Sequence, residues 1–276
     1  MSKLFYFGLI FWIGSFSVSA QFSSLNRAER QLAVLQKETE PLYRRPTGKE
    51  LKLVEPRREL ADKYGEVLRQ PGTGLTKLIH DKGCAESTKV IVATADCLKY
   101  TMPGAGSSFS FREETYRIPR LADLTFTDNS FQATGILLHG IFVNIGDVPL
   151  ESVTLLTPGI AYAAEFQPAV EFEKARELDR RLSEGVRHEG FIYRRALFAR
   201  ENATFVLRSI AYGGKLYRSI RGVTYNELDF DKRRDVLVAF RIVEKDAEGN
   251  ITILWKRLWQ KDSPNVRKDD ERIAKP

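Results

Sequence analysis

The segment ATGILLHGIFVNIG, residues 133–146, constrains the fold more than any other stretch because it is apolar at both parities. In an extended chain Leu137, His139, Ile141, Val143 and Ile145 share one face, and Ile136, Leu138 and Phe142 the other. A strand of this kind needs packing partners above and below it. A single half-solvated sheet does not satisfy that requirement.

Alternation elsewhere supplies the neighbours. Val236, Val238, Phe240 and Ile242 fall on one face of a segment, and Ile251, Ile253, Trp255 and Trp259 do so on the next. EKDAEGN joins them, with Gly249-Asn250 as the turn, which predicts an antiparallel hairpin with one buried aromatic face. KVIVATA (89–95), SFSFR (108–112), LADLTFT (121–127), GFIYRRALFAR (190–200), ATFVLRSIAYGG (203–214) and KLYRSIRGVTY (215–225) also read as strands. One amphipathic helix interrupts them, with Phe172, Ala175, Leu178, Leu182 and Val186 in a stripe suited to lying on a sheet. The expected class is α+β: a mainly antiparallel, curved β-sheet with an amphipathic helix packed on it, preceded by a helical N-terminal arm. Regular strand–helix alternation is missing, which argues against a doubly wound nucleotide fold.

The amino terminus reads as an export signal. Lys3 precedes the apolar run Leu4 to Phe16, and Val18-Ser19-Ala20 forms a small-residue cleavage pattern before Gln21. That run is shorter than the roughly 18 residues expected of a spanning helix. The expected organisation is a signal peptide at 1–20, a helical arm at 21–72, a main α+β domain at 73–260 and a mobile polar tail at 261–276. In the arm, Leu25, Ala28, Leu32 and Leu35 repeat at helical spacing and Pro41 closes the pattern. A polar link containing Pro46, Gly48 and Pro56 precedes a second helical pattern that brings Leu60, Tyr64, Val67 and Leu68 together. Export places the mature chain in the periplasm or outside the cell, with no segment that spans a membrane as a helix.

Cys84 and Cys97 lie in the exported part, where an oxidising compartment favours a disulfide. Such a link restrains the unfolded chain by about 3 kcal/mol in the chain-entropy account. The formal charge of +7 invites an anionic partner. Export disfavours nucleic acid, leaving an acidic protein, a polysaccharide or a lipid headgroup. Arg194, Arg195, Arg200, Arg208, Arg218, Arg221, Arg233, Arg234 and Arg241, with Tyr193 and Tyr212, could gather into such a surface. The competing reading is a solvated face neutralised by carboxylates.

MPGAGSSFSFR, residues 102–112, invites a functional reading of its own. Gly104 and Gly106 lack the third glycine of a dinucleotide loop, and no lysine follows to meet a phosphate. The alternation of Ser108, Phe109, Ser110 and Phe111 predicts a tight turn entering a strand. A recognition loop made by Gly104, Gly106, Ser107, Ser108 and Arg112 is the functional alternative; Arg112 either pairs with Glu113 or Glu114, the favoured reading, or meets an anion. His80, His139 and His188 form no metal-binding pattern, and no G-x-S-x-G elbow is present. A Ser107–His139–Asp123 site could arise only in space. Neither a cofactor, a metal nor a catalytic residue is assigned. The expected role is an exported, soluble, noncatalytic protein of binding, assembly or envelope maintenance. The alternative is a secreted hydrolase with a spatially assembled Ser/His/carboxylate site, which a pocket joining His139 to a serine or a carboxylate would favour.

Overall fold

The computed structural model describes residues 18–80 and 102–266, without the side chains of 18–28, 41 and 42. Most of the leader, the two cysteines with the strand expected at 89–95, and the tail beyond Val266 lie outside the described residues.

The chain is α+β, and its strand pairs are antiparallel. The strands in order are β1 (Thr73–Leu78), β2 (Ser108–Ser110), β3 (Thr115–Tyr116), β4 (Leu124–Thr127) and β5 (Ser130–Gln132). Then follow β6 (Leu138–Asn144), β7 (Val186–His188), β8 (Phe191–Tyr193), β9 (Ala196–Phe198) and β10 (Thr204–Ala211). The last are β11 (Tyr217–Ile220), β12 (Val223–Asn226), β13 (Arg234–Lys245) and β14 (Ile251–Asp262). One five-stranded sheet has the order β1-β14-β13-β10-β6, and a second has β3-β2-β4-β5-β9. The pairs β7–β8 and β11–β12 form separate hairpins.

The segment apolar on both faces is covered on both faces. Leu138 and Phe142 of β6 point between the two sheets, with Phe205 and Leu207 of β10, Val238 and Phe240 of β13, and Trp255 of β14. The second sheet answers with Phe109, Leu124, Phe126 and Phe131, while Phe111 follows β2 into the same core. Phe240 meets Phe131 edge to face at 4.9 Å and stacks on Phe205 at 5.4 Å. Each such ring pair adds about 0.5–1.5 kcal/mol beyond burial. On the opposite face Ile141, Val143, Val206, Ile210, Leu237 and Leu254 meet Leu178 and Leu182 of the helix Phe172–Glu184. That helix buries Ala175, Leu178 and Leu182, as its stripe predicts, and stops at Gly185, whose φ is 101°.

The expected aromatic hairpin forms, with one correction. Leu237 pairs with Trp259 while Val238 pairs with Arg257, leaving Leu258 as an extra residue. A bulge of one residue reverses the parity of everything beyond it. Trp255 therefore stays between the sheets, whereas Trp259 joins the helix-side cluster and lies 5.1 Å from the Arg208 guanidinium. The segment expected to be a tail begins inside β14, which runs to Asp262, and Gly213 N–H then donates to the Pro264 carbonyl at 2.9 Å.

The arm is helical and attached. Its first helix, Val18–Tyr43, runs two residues past Pro41. Tyr43 Oη donates to Glu227 at 2.9 Å and its ring stacks on Phe230 at 4.4 Å. Leu35 packs into the same small cluster, while Leu32, expected on the same face, is 55% exposed. The link that follows is not irregular: Thr47 and Glu50 form a reciprocal capping box that starts the helix Gly48–Leu53.

Candidate functional site

The residues of the glycine-rich stretch do not form a surface loop. Gly104, Gly106, Ser107, Ser108 and Arg112 are all buried. Pro103–Gly106 makes a tight turn with φ of 62° at Gly104 and 50° at Ala105. A Cβ on Gly104 would come within 2.6 Å of the Arg117 carbonyl, so a glycine is needed there for space as well as for its backbone angle. The Ser107 hydroxyl donates back to the Gly104 carbonyl at 2.7 Å, and Ser108 shares a hydrogen bond with Thr125 at 3.0 Å. Their polar groups are spent inside the turn and the sheet. The stretch delivers the chain into β2, as the serine–phenylalanine alternation predicts.

Arg112 pairs with neither Glu113 nor Glu114. Its side chain is fully buried, donating to Asp231 at 2.8 Å and to the Leu121 carbonyl at 3.0 Å. Its Nε lies 2.7 Å from Asp123 without hydrogen-bond alignment, and Asp231 Oδ1 has no partner. Burial raises the Asp231 pKa above the ordinary aspartate value, against the pull of Arg112 and Arg233. Asp123 also accepts from Ser110 at 3.2 Å and from Ser209. Two sequence-distant acids, unreadable as partners from spacing, thus hold one buried guanidinium between the sheets and the turn near Phe230.

The arginine series does not gather into one face. Arg208 is buried on the helix side, donating to Asp235 at 3.0 and 2.8 Å and to the carbonyls of Ala163 and Phe166. Arg233 is tied to Asp231 and to the carbonyls of Ile136, Leu137 and Tyr212. Arg218, Arg221, Arg234 and Arg241 pair with Glu227, Glu38, Asp262 and Asp147. Carboxylates from across the chain neutralise these cations, which sequence proximity does not reveal.

A cleft of about 380 Å³ lies at the end of the helix-side core. Leu137, His139, Tyr212 and Arg195 come from the sheet side, and Phe172, Ala175, Arg176, Asp179 and Arg180 from the helix Phe172–Glu184. His139 occupies the helix-facing parity of β6 that its neighbours predict, opposite Ile210. Its Nδ1 lies 3.2 Å from the Tyr212 hydroxyl, and the two rings meet edge to face at 5.1 Å. Burial holds its pKa below the ordinary histidine value; Asp179 opposes the shift, Arg195 adds to it, and a hydrogen bond to the Ala175 backbone opposes it. Burial pushes the Tyr212 phenol well above its ordinary range. At near-neutral pH the floor is therefore an uncharged imidazole–phenol pair. Asp179 is held 2.7 Å from Arg195. Leu137, at the wall, has φ of 43°, a left-handed angle that a bulky residue rarely adopts, and its carbonyl accepts from Tyr212 N–H and Arg233.

The Ser107–His139–Asp123 arrangement is not assembled. Asp123 binds Ser209, whose neighbours Leu207 and Ala211 face between the sheets, whereas His139 faces the helix. The sheet itself separates them. His80 donates its backbone N–H to Asn250 at 2.9 Å, and His188 lies beside Tyr162 at a ring distance of 5.2 Å. No group of three or more His, Cys, Asp or Glu side chains placed to hold a metal occurs among the described residues. No helix among them is long and apolar enough to cross a membrane.

No protein-family model, no curated protein and no solved structure matches the chain. The cleft must be interpreted from its own chemistry. Asp179 escaped the sequence reading because it sits beside the apolar stripe, at i+4 from Ala175, in a run crowded with charges. Its one signal is that helical position.

Proposed function

We propose that this chain is an exported protein that binds its ligand without transforming it, in the cleft between the helix Phe172–Glu184 and the ends of β6 and β10. One observation carries the reading: the groups a hydrolase would need in this cleft are already engaged. The cleft does join His139 to a carboxylate, the feature that would favour hydrolysis. His139 Nδ1, however, faces Tyr212, the ring also hydrogen-bonds the Ala175 backbone, and Asp179 is bound to Arg195. A general base needs a free nitrogen within hydrogen-bond reach of the proton it removes. Among the described residues, no serine, cysteine or threonine lines the cleft. A concave site that sets apolar side chains beside convergent polar groups is what small-ligand binding uses, and here Leu137, Leu138 and Phe172 stand beside His139, Tyr212 and the arginines. Export rests on the leader and its small-residue cleavage pattern.

The test combines ligand mapping with turnover. Anionic saccharides, acidic peptides and lipid headgroup analogues are titrated into the isotopically labelled mature protein. Amide shifts clustered at residues 135–139, 172–180 and 212 are expected. Binding that leaves these positions unmoved would remove the cleft from the proposal. Ester, amide or glycoside cleavage that disappears in His139→Gln would establish the hydrolase instead. Amino-terminal sequencing of the protein from an envelope-bearing host should begin at Gln21; a cytoplasmic product with its leader intact would sink the export reading.

A further inference from the structure

The geometry points to the ligand class: we propose that the cleft takes an organic monoanion, a carboxylate carried on a short apolar stem. This rests on the binding role given to the cleft above. Leu137, Leu138, Phe172 and Val266 supply an apolar lining for a stem. The head group would meet arginine. Arg176 and Arg180 stand one helical turn apart on the cleft side of Phe172–Glu184.

Arg176 is the more loosely held. It reaches Glu173 through one nitrogen at 3.4 and 3.2 Å, with the two side chains 67% and 65% exposed, whereas Arg180 makes two N–H bonds to Glu177 at 3.0 and 2.6 Å and a third to Glu184 at 2.6 Å. An exposed pair of this kind is screened by water and contributes little, so the Arg176 guanidinium can turn toward a better acceptor. A carboxylate is such an acceptor, because it can take two parallel N–H bonds from one guanidinium in a partly dry site.

The one loosely held cation selects a single negative charge, because Arg180 keeps Glu177 and Glu184. Arg195 is neutralised by Asp179 at 2.7 Å, and His139 adds no charge because it is held neutral beside Tyr212. Asp179 itself lines the cleft and would repel a second negative charge. A phosphate dianion would meet that carboxylate, and a neutral molecule would leave the arginines with their glutamates.

The experiment measures the affinity of the whole mature protein for octanoate, octanol, acetate and inorganic phosphate. Octanoate should bind at least roughly tenfold more tightly than octanol, acetate or phosphate. Arg176→Gln should weaken octanoate roughly tenfold to a hundredfold, the worth of one charge-assisted hydrogen bond, and leave octanol unchanged. Arg176→Lys should restore part of that loss. The site is exposed, and an unaltered circular-dichroism spectrum and melting temperature confirm that the variants fold. Equal affinity for octanol and octanoate, or indifference to Arg176→Gln, overturns the carboxylate class. Phosphate that displaces octanoate overturns the single charge, with the cleft still a binding site. If none of the four probes shifts the amides of residues 135–139 and 172–180, the cleft reading itself fails.

Discussion

Phe205 and Val206 are neighbours in β10, yet one enters a core of aromatic rings and the other a core that ends at a polar cleft. The first face is covered by a second sheet, whose extended strands present a continuous surface of phenylalanines. The second is covered by one main helix and by loops, which touch only part of the sheet and leave room at its end. Each side also contains a buried arginine. Arg208, on the helix side, is fully hydrogen-bonded to Asp235 and backbone carbonyls. Arg112, beside the sheet-on-sheet core, keeps an unaligned Nε, and its partner Asp231 an unpartnered oxygen. A sheet buried twice can therefore carry an aromatic core against a second sheet on one face and a polar cleft beside a helix on the other. A further hollow of about 440 Å³ lies at the β1 edge of the first face, lined by Gly74, Phe109, Tyr116 and Trp255.

The largest expected effect tests the aromatic face. Phe240→Ala removes the ring that touches Phe131, Phe205, Phe111 and Phe142, and should destabilise the protein by about 3–5 kcal/mol in denaturant titration. A loss below about 1 kcal/mol would mean that this core is not closely packed. On the helix face, Asp235→Ala strands a fully buried guanidinium and should cost about 3–5 kcal/mol, whereas Arg208→Met with Asp235→Leu should come out near neutral. If the double variant falls as far as the single one, the pair contributes more than its own desolvation, and the helix face depends on charge.

Gly74 offers a finer probe of the aromatic side. A Cβ there would lie 2.4 Å from the Trp255 ring, which crosses β1 to donate its indole N–H to Thr76 at 3.0 Å. Gly74→Ala should cost about 1–3 kcal/mol through overpacking, with a shift in tryptophan fluorescence as the indole moves. The smallest effect belongs to neither face. Glu50 is held down to about 2 chiefly by the hydrogen bond from Arg44, with Thr47 assisting. A depressed folded pKa stabilises fully above the unfolded value of 4.5, and that share is lost as pH falls toward 2. Glu50→Gln keeps the cap but should flatten the stability-against-pH curve across that window, with the two faces unaffected.

Alternation revealed most of this fold. The two-sided segment from Leu138 to Ile145, the aromatic hairpin as far as Trp255 and the stripe from Phe172 to Leu182 occupy the positions their periods predict, because a buried face tolerates few polar residues. Ile136, by contrast, precedes β6 and packs beside Tyr43 and Leu121. The same logic failed at Trp259, since one inserted residue at Leu258 reverses parity without altering composition. The capping box at Thr47 was readable and was passed over beneath Pro46 and Gly48. Asp123 and Asp231 were invisible as partners of Arg112, and Asp235 as the partner of Arg208, for each lies at least 11 residues from that arginine.

What the chain itself determined is which residues turn toward apolar surroundings and where the backbone must bend, since those depend on neighbours two to four positions away. Which charges meet, which face of β6 meets the second sheet, and that His139 shares a cleft with Tyr212 and Asp179 were decided only by packing. Electrostatic partners and clefts arise between segments far apart in sequence, and no local period encodes that distance.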